Sequence, residues 1–176
     1  MRIILVSSIL LIILLIVNLS YHGFVTLIGQ SFFKEKADGS LIRLEDKIIG
    51  SSLLAQSFTE DKYLWGRPSF SNYNQLKNPH SGYSSVSLKL KNSIQTKQAQ
   101  GAKNERLFYS KSGLDPHLSY SSALGQVPRI AKARKIEAEI INELFDSMKF
   151  YNLLSATELL NVLEVNLALD QLGEIE

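Results

Sequence analysis

The chain contains no cysteine in its 176 residues. That absence rules out disulfides, thiolate metal sites, iron–sulfur clusters and cysteine nucleophiles together. Histidine is nearly as scarce. His22, His80 and His117 are scattered, and none has a second histidine at i+4, so the H-E-x-x-H metal pattern is missing. Walker A, G-x-G-x-x-G, EF-hand and G-x-S-x-G patterns are missing too. Residues 3–28 carry no charge of either sign, and the formal net charge of the whole chain is only +2. Bulk charge therefore argues neither for nor against nucleic acid. The cations have no interleaved aromatic platform, so nucleic acid is not an expected partner.

The uncharged stretch is the first positive signal. Ile3 to Val17 is apolar apart from Ser7 and Ser8, and low polarity continues through Phe24, Val25, Leu27 and Ile28. As a helix it reaches about 39 Å, more than the ~30 Å hydrocarbon core of a bilayer. Phe32 and Phe33 followed by Lys34 and Lys36 make an interfacial boundary. A cleaved signal peptide is the rival reading, but 18–23 (Asn-Leu-Ser-Tyr-His-Gly) offers no A-x-A-like cleavage site. An uncleaved anchor over 1–30 followed by a soluble domain over 31–176 is expected. Arg2 on one side against Lys34 and Lys36 on the other leaves the orientation balanced.

The remaining roughly 145 residues suffice for one domain with a real core. Asp38-Gly39-Ser40 is a turn signal. The apolar spacing at 49, 53, 54 and 58 predicts a short helix over 48–58. A helix is expected from about Ser84 to Gln100 and a short strand at 107–109. From Pro128 to Phe150 the apolar residues Ile130, Ala133, Ile136, Ile140, Leu144 and Met148 predict one long amphipathic helix. Ser155 with Glu158 has capping-box spacing. Leu163, Val165, Leu167 and Leu169 alternate with Glu164, Asn166, Ala168 and Asp170, the pattern of a half-buried strand. Helices and short strands without a βαβ rhythm give an α+β fold class.

In that long helix Arg129, Lys132, Arg134 and Lys135 crowd the start, while Glu137, Glu139, Glu143 and Asp146 follow. The helix dipole favours the opposite order, at roughly 0.3–1 kcal/mol per exposed charge. The bland reading is four solvated cations. The sharper one is a docking patch for acidic groups, at which charge reversal of Arg129 or Arg134 weakens assembly more than it weakens the fold. Trp65 is expected in the core. Gly113 is expected in a conformation that only glycine tolerates. Arg67 should pair with a carboxylate, either inside the domain or across an interface.

Catalytic constellations are sparse. Asp115-Pro116-His117 is the one carboxylate–imidazole neighbourhood, and turn capping by Asp115 is its default role. Ser31 to Lys34 is a Ser-x-x-Lys spacing that chance alone would produce, with none of that class's supporting motifs. No catalytic residue and no metal site are expected. From the residues alone, the competing functions are a membrane-tethered extracytoplasmic binding module for peptidoglycan or lipid, motivated by the basic cluster, and a tethered hydrolase using Ser31 and Lys34 or His117.

Several motifs occur together and in order. They are Gly39-Ser40-Leu41-Ile42; Gly50-Ser51 with Leu53-Leu54 and Gln56-Ser57-Phe58; Gly66-Arg67-Pro68-Ser69 with Tyr73; and Ser112-Gly113-Leu114-Asp115-Pro116-His117-Leu118-Ser119. Gln126-Val127-Pro128-Arg129-Ile130-Ala131 with Ala133-Arg134, and the run 161–170, complete the set. This series closely resembles the C subunit (KdpC) of the bacterial Kdp potassium-transporting ATPase over nearly the whole chain. Two stretches depart from the family pattern: 78–85, in place of a Gly-Ser-Asn-Leu-Gly-Pro type segment, and 108–111, in place of Val-Thr-Ala-Ser.

The resemblance implies a non-catalytic subunit of a high-affinity, ATP-driven potassium importer. Its implied partners are the P-type ATPase subunit, the channel-like subunit and a small single-span subunit, in the bacterial inner (cytoplasmic) membrane. It also implies a role in assembly and in raising the ATP affinity of the hydrolysing subunit. ATP enters through the complex, with Gln126 in Ala123-Leu124-Gly125-Gln126 as the nearest match to the family's nucleotide-linked glutamine. Arg67, Asp115, His117, Arg129 and Arg134 are the expected docking residues. The family's soluble domain lies outside the membrane, away from ATP. That placement is preferred here, because the chain has no glycine-rich phosphate cradle followed by lysine.

Overall fold

The computed structural model describes residues 2–77, 81–153 and 156–173. The chain divides into two compact units, Met1–Ser51 and Ser52–Glu176.

The first unit begins with helix α1, Arg2–Phe32, whose apolar window has a mean hydropathy of 2.9. It is apolar around its whole circumference, as a helix surrounded by lipid must be and one packed on a core need not be. A single turn, α2 (Lys34–Ala37), leads through Asp38–Ser40 into a two-stranded antiparallel hairpin, β1 (Leu41–Leu44) and β2 (Lys47–Ser51). The connecting residues Glu45 and Asp46 both have positive φ, 47° and 65°, as a two-residue hairpin turn matching strand twist requires. β2 therefore occupies the start of the helix expected over 48–58. The β-branched pair Ile48-Ile49 lies in the ladder, and 52–58 has no regular structure.

The second unit holds the core. Helix α3 (Leu88–Ala99) falls inside the expected span and is capped by the Ser87 hydroxyl, which accepts from Lys89 N. A 3₁₀ turn at Asn104–Leu107 replaces the strand expected at 107–109. A three-stranded antiparallel sheet is ordered β3 (His117–Ser119), β5 (Thr157–Asn161), β4 (Phe150–Asn152). Ser155 lies outside the described residues, and Glu158, its proposed capping partner, is in β5 opposite Tyr151. Helices α4 (Tyr120–Leu124), α5 (Val127–Arg134), α6 (Ala138–Met148) and α7 (Val162–Gly173) pack around Leu64, Leu118, Ile130, Ile141, Phe145, Leu160, Val165 and Leu169, all fully buried.

Two sequence expectations fail in instructive ways. The long helix from 128 to 150 is two helices. Lys135 adopts the left-handed conformation at φ 58° and ends α5, and Glu137 precedes α6. Lys132 and Arg134 thus sit in the last turn of α5, and Glu139 in the first turn of α6, each at the pole that favours its charge. For these three residues the adverse order existed only in an unbroken helix, whereas Arg129 in the first turn of α5 and Asp146 in the last turn of α6 still sit at the opposite poles. The buried residues are Val127, Ile130, Ile141 and Phe145, whereas Ile140 is exposed.

The second failure is 163–170, which is helical. Val162, Val165, Asn166 and Leu169 share one buried face at spacings of three and four. The start of α7 explains the choice. Asn161, the last residue of β5, accepts from Leu163 N and Glu164 N through Oδ1 at 3.1 and 3.3 Å, while its Nδ2 donates to Ser52 O at 2.7 Å. This is a side-chain N-cap. Asn161→Ala is expected to cost about 2 kcal/mol in thermal unfolding of the full chain in detergent, and Asn161→Asp, which keeps the acceptor, clearly less.

Candidate functional site

Residues 62–67 run through the second unit without belonging to a sheet, so their backbone groups need other partners. Side-chain amides supply them. Asn166 Oδ1 accepts from Leu64 N at 2.7 Å and its Nδ2 donates to Leu64 O at 3.0 Å. One residue on, Gln126 Oε1 accepts from Trp65 N at 3.1 Å and Nε2 donates to Trp65 O at 2.9 Å. Two amides from α7 and from the start of α5 thus imitate a neighbouring strand on consecutive residues. Both are buried, at 1% and 4% exposure.

The arginines complete this clamp. Arg129 donates to Tyr63 O at 2.9 Å, to Gln126 Oε1 at 2.8 Å and to Asp61 O, and its guanidinium stacks 3.7 Å from the Trp65 ring centroid. Burial pushes Arg129 down to about 10; Asp61 opposes this and Arg106 adds to it, and the group remains cationic at neutral pH. Arg134 donates to Lys62 O at 2.8 Å, to Leu169 O at 2.6 Å and to Asp170 Oδ1 at 2.7 Å. Tyr63 Oη donates to the other oxygen of that carboxylate at 3.0 Å. Both arginines, expected on a docking patch, turn inward onto 61–65 and α7.

Arg67, Asp115 and His117 form a separate, half-exposed group. Arg67 pairs with Asp115 Oδ2 at 3.1 Å, inside the domain. Asp115 Oδ1 accepts from His117 N at 3.1 Å, the turn-capping bond, and lies 3.6 Å from His117 Nδ1. The His117 ring meets Phe150 edge-on at 5.3 Å. Gly113, at φ 70°, provides the left-handed residue that the turn before Asp115 needs. Burial by itself raises the Asp115 carboxyl, but the contacts from His117 and the Arg67 charge outweigh it and hold the group below its usual range. A depressed carboxylate stabilises the fold above its unfolded pKa and stops doing so as pH falls through the folded one. Acid titration should therefore reveal the Asp115 contribution only below about pH 4, and Asp115→Asn should flatten that part of the stability curve.

Beside the clamp, a cavity of about 490 Å³ is lined by Trp65, Tyr73, Tyr109, Lys97 and Arg106, together with the hydroxyls of Ser57, Thr59 and Ser69. Trp65, expected in the core, is half-buried and forms one wall. Lys97 Nζ donates to Leu107 O at 3.1 Å and sits 3.3 Å from the Tyr109 ring centroid. Burial pushes it down to about 8. From there up to about 10.4 the unfolded chain binds a proton that the folded chain does not, so this lysine makes stability rise with pH across that window. Acetylation at pH 8, followed by peptide mass spectrometry, should modify Lys97 at least about tenfold faster than Lys89 or Lys91, because ordinary lysines are then under ~1% neutral. Equal rates would contradict the buried environment.

Among the described residues, no three His, Asp or Glu side chains converge as a metal site. Asn166, Asp170, Lys97 and Arg106 carry the clamp and cavity but do not stand out in the sequence. The available signal is one asparagine inside the apolar run 162–169, which the strand pattern places on the solvent side.

Gly66-Arg67-Pro68-Ser69, the turn 112–119 and the run 126–134 are among the motifs that carry the resemblance, and the last of them clamps the residues 61–65 that lead directly into the first. Residues 3–171 match the family described as K+-transporting ATPase, c chain (KdpC). The chain belongs to the KdpC family. It is 41% identical over 161 residues to the potassium-transporting ATPase KdpC subunit 2 of Staphylococcus aureus (strain Mu50 / ATCC 700699), covering 84% of this chain and 86% of that protein. The KdpC subunit of Staphylococcus haemolyticus (strain JCSC1435) is 39% identical over the same length and with the same coverage. That of Staphylococcus aureus (strain COL) is 34% identical over 163 residues, with 85% and 87% covered. The single apolar helix and the membership together fit a single-pass membrane protein.

Proposed function

We propose that the chain is the accessory subunit of an ATP-driven potassium import complex, anchored by its first thirty or so residues. Its partners there are a P-type ATPase subunit, a potassium-channel-like subunit and a small single-span subunit. The observation that carries this reading is the extent of the family match, which runs from the apolar helix through α7. The membrane is the bacterial cytoplasmic one, with the mixed domain on its outer side. That side is favoured because no glycine-rich loop followed by lysine is present to hold phosphates.

The role proposed is assembly, together with an increase in the ATP affinity of the hydrolysing subunit. Gln126 takes part through Trp65. Its amide is spent on that backbone and on Arg129, so a direct nucleotide contact by the same side chain would first have to release the tryptophan. Within the expected docking set, Asp115 and His117 are about a third exposed, Arg67 and Arg129 about a quarter, and Arg134 is nearly enclosed, while Arg129 and Arg134 act by holding 61–65.

Co-purification tests the assignment. A tagged chain at native expression should bring down a P-type ATPase and a channel-like subunit, and the complex should show potassium-stimulated ATP hydrolysis. Its KM for ATP should rise when this chain is removed. Solitary behaviour of the chain would sink the proposal, and an unchanged KM would remove the affinity role alone.

A further inference from the structure

We infer that the start of α3 rests on the surface of the membrane that holds the chain, through anionic phospholipid headgroups. Residues 62–104 include seven lysines and arginines and no aspartate or glutamate. Three of the seven are engaged within the domain: Lys62 by Glu60, Arg67 by Asp115 and Lys97 by Leu107 O. Lys89 and Lys91 are exposed and have no carboxylate partner among the described residues. They occupy the first turn of α3, which carries no acidic residue, at the pole where the helix dipole favours negative charge. Ser87 answers Lys89 N, but the N–H groups of Leu88 and Leu90 have no acceptor among the described residues. Cations and unanswered donors share one turn, and an anion satisfies both.

The side chains beside these lysines select the kind of anion. Val86 is 90% exposed and Leu88 75%. Both line, with Leu90, Lys91 and Ile94, a groove of about 500 Å³. α3 buries none of its residues fully, so its own domain covers the helix only in part. A free phosphate or carboxylate needs no aliphatic surface next to it, whereas a phospholipid brings an acyl chain with every phosphate. Bare aliphatic tips next to lysines suit a helix lying in the headgroup layer, with the apolar tips toward the acyl chains. The lysine stems lie along the apolar surface and carry their ammonium groups to the phosphates. Because α1 and this helix belong to one polypeptide, the contact needs little affinity of its own. The inference rests on α1 crossing the bilayer and is independent of the potassium complex.

The chain has no cysteine, so Val86→Cys places a single thiol at an exposed position where folding is not at stake. The full chain, labelled there with the polarity-sensitive dye nitrobenzoxadiazole, is reconstituted in phosphatidylcholine vesicles with and without about 30% phosphatidylglycerol. With the anionic lipid, the emission should shift to the blue and be quenched by phospholipid spin-labelled near its headgroup. Without that lipid, or in high salt, it should do neither. Lys89→Gln and Lys91→Gln should each weaken the contact about fivefold. The same dye at Ser147→Cys on α6 should stay unquenched. Flotation with the vesicles checks the anchor separately: a chain that floats while residue 86 stays unquenched overturns this inference and leaves the anchor standing. Three further results would each overturn it: equal quenching with and without phosphatidylglycerol; equal quenching at residue 147; or shielding of the dye only after the P-type ATPase and channel-like subunits are added, which would assign this face to a protein.

Discussion

Replacing Arg134 with alanine is expected to cost about 3–4 kcal/mol, a fall of roughly 10–15 °C in the unfolding temperature of the full chain in detergent. The side chain is only 9% exposed, so its bonds are not diluted by water. Truncation leaves the carbonyls of Lys62 and Leu169 without their donor and Asp170 without its cation. Arg134→Lys should recover less than half of the loss, because one ammonium cannot reach three acceptors that a planar fork spans. Arg134→Glu should be worse than alanine, since it places a second carboxylate beside Asp170. The same series separates two roles. If the residue acts by docking, the variants will lose partner binding at temperatures where they remain folded. If it acts through 61–65, binding and folding will fail together, and the buried geometry supports this second pattern.

Asn166→Ala should be at least as damaging, at about 3–5 kcal/mol by the same measurement. Asn166 is 1% exposed and satisfies both the N–H and the C=O of Leu64, itself fully buried. Water cannot take over either group, so the substitution leaves two unsatisfied backbone atoms and a small void in the core. Asn166→Leu should not rescue it, because filling the volume restores no hydrogen bond. Asn166→Asp keeps the acceptor but exchanges the donor for a charge in an apolar setting, and should unfold the domain progressively as pH rises above the range in which that carboxyl stays protonated. Combining Asn166→Ala with Gln126→Ala should cost less than the sum of the two. The amides hold adjacent residues of one segment, and once it detaches the second has little left to hold. Losses that add within about 0.5 kcal/mol would show that the two bonds act separately.

Much of the plan was legible before any coordinates. The uncharged run from Ile3 onward reads as a membrane helix because lipid imposes a length and an absence of charge that short windows of sequence express directly. Asp38–Ser40, the helix near 88–99, the Gly113 conformation and the capping role of Asp115 were all local matters, settled by a few neighbouring residues. The α+β class followed from the mix of short elements.

What failed was whatever depended on distant partners. Lys135 breaks the 128–150 helix with neither glycine nor proline, so no residue there announces a stop, and the apparent misplacement of Lys132, Arg134 and Glu139 came from that unseen break. The run 162–170 satisfies a period of two and a helical face equally well. Asn161 decides between them by capping α7 while bonding Ser52, more than a hundred positions away. Trp65 reads as a core residue unconnected with the Gln126–Arg129 motif, and their mutual engagement exists only once α5 lies along 61–65.

The sequence by itself determined the long uncharged helix, the lack of any thiol and membership of the KdpC family, because these rest on composition and on ordered motifs. The tertiary structure alone decided that Gln126, Asn166, Arg129 and Arg134 face inward as substitutes for a missing strand. The reason is that a buried backbone must have every N–H and C=O satisfied, and which side chains meet that demand depends on packing across the whole domain.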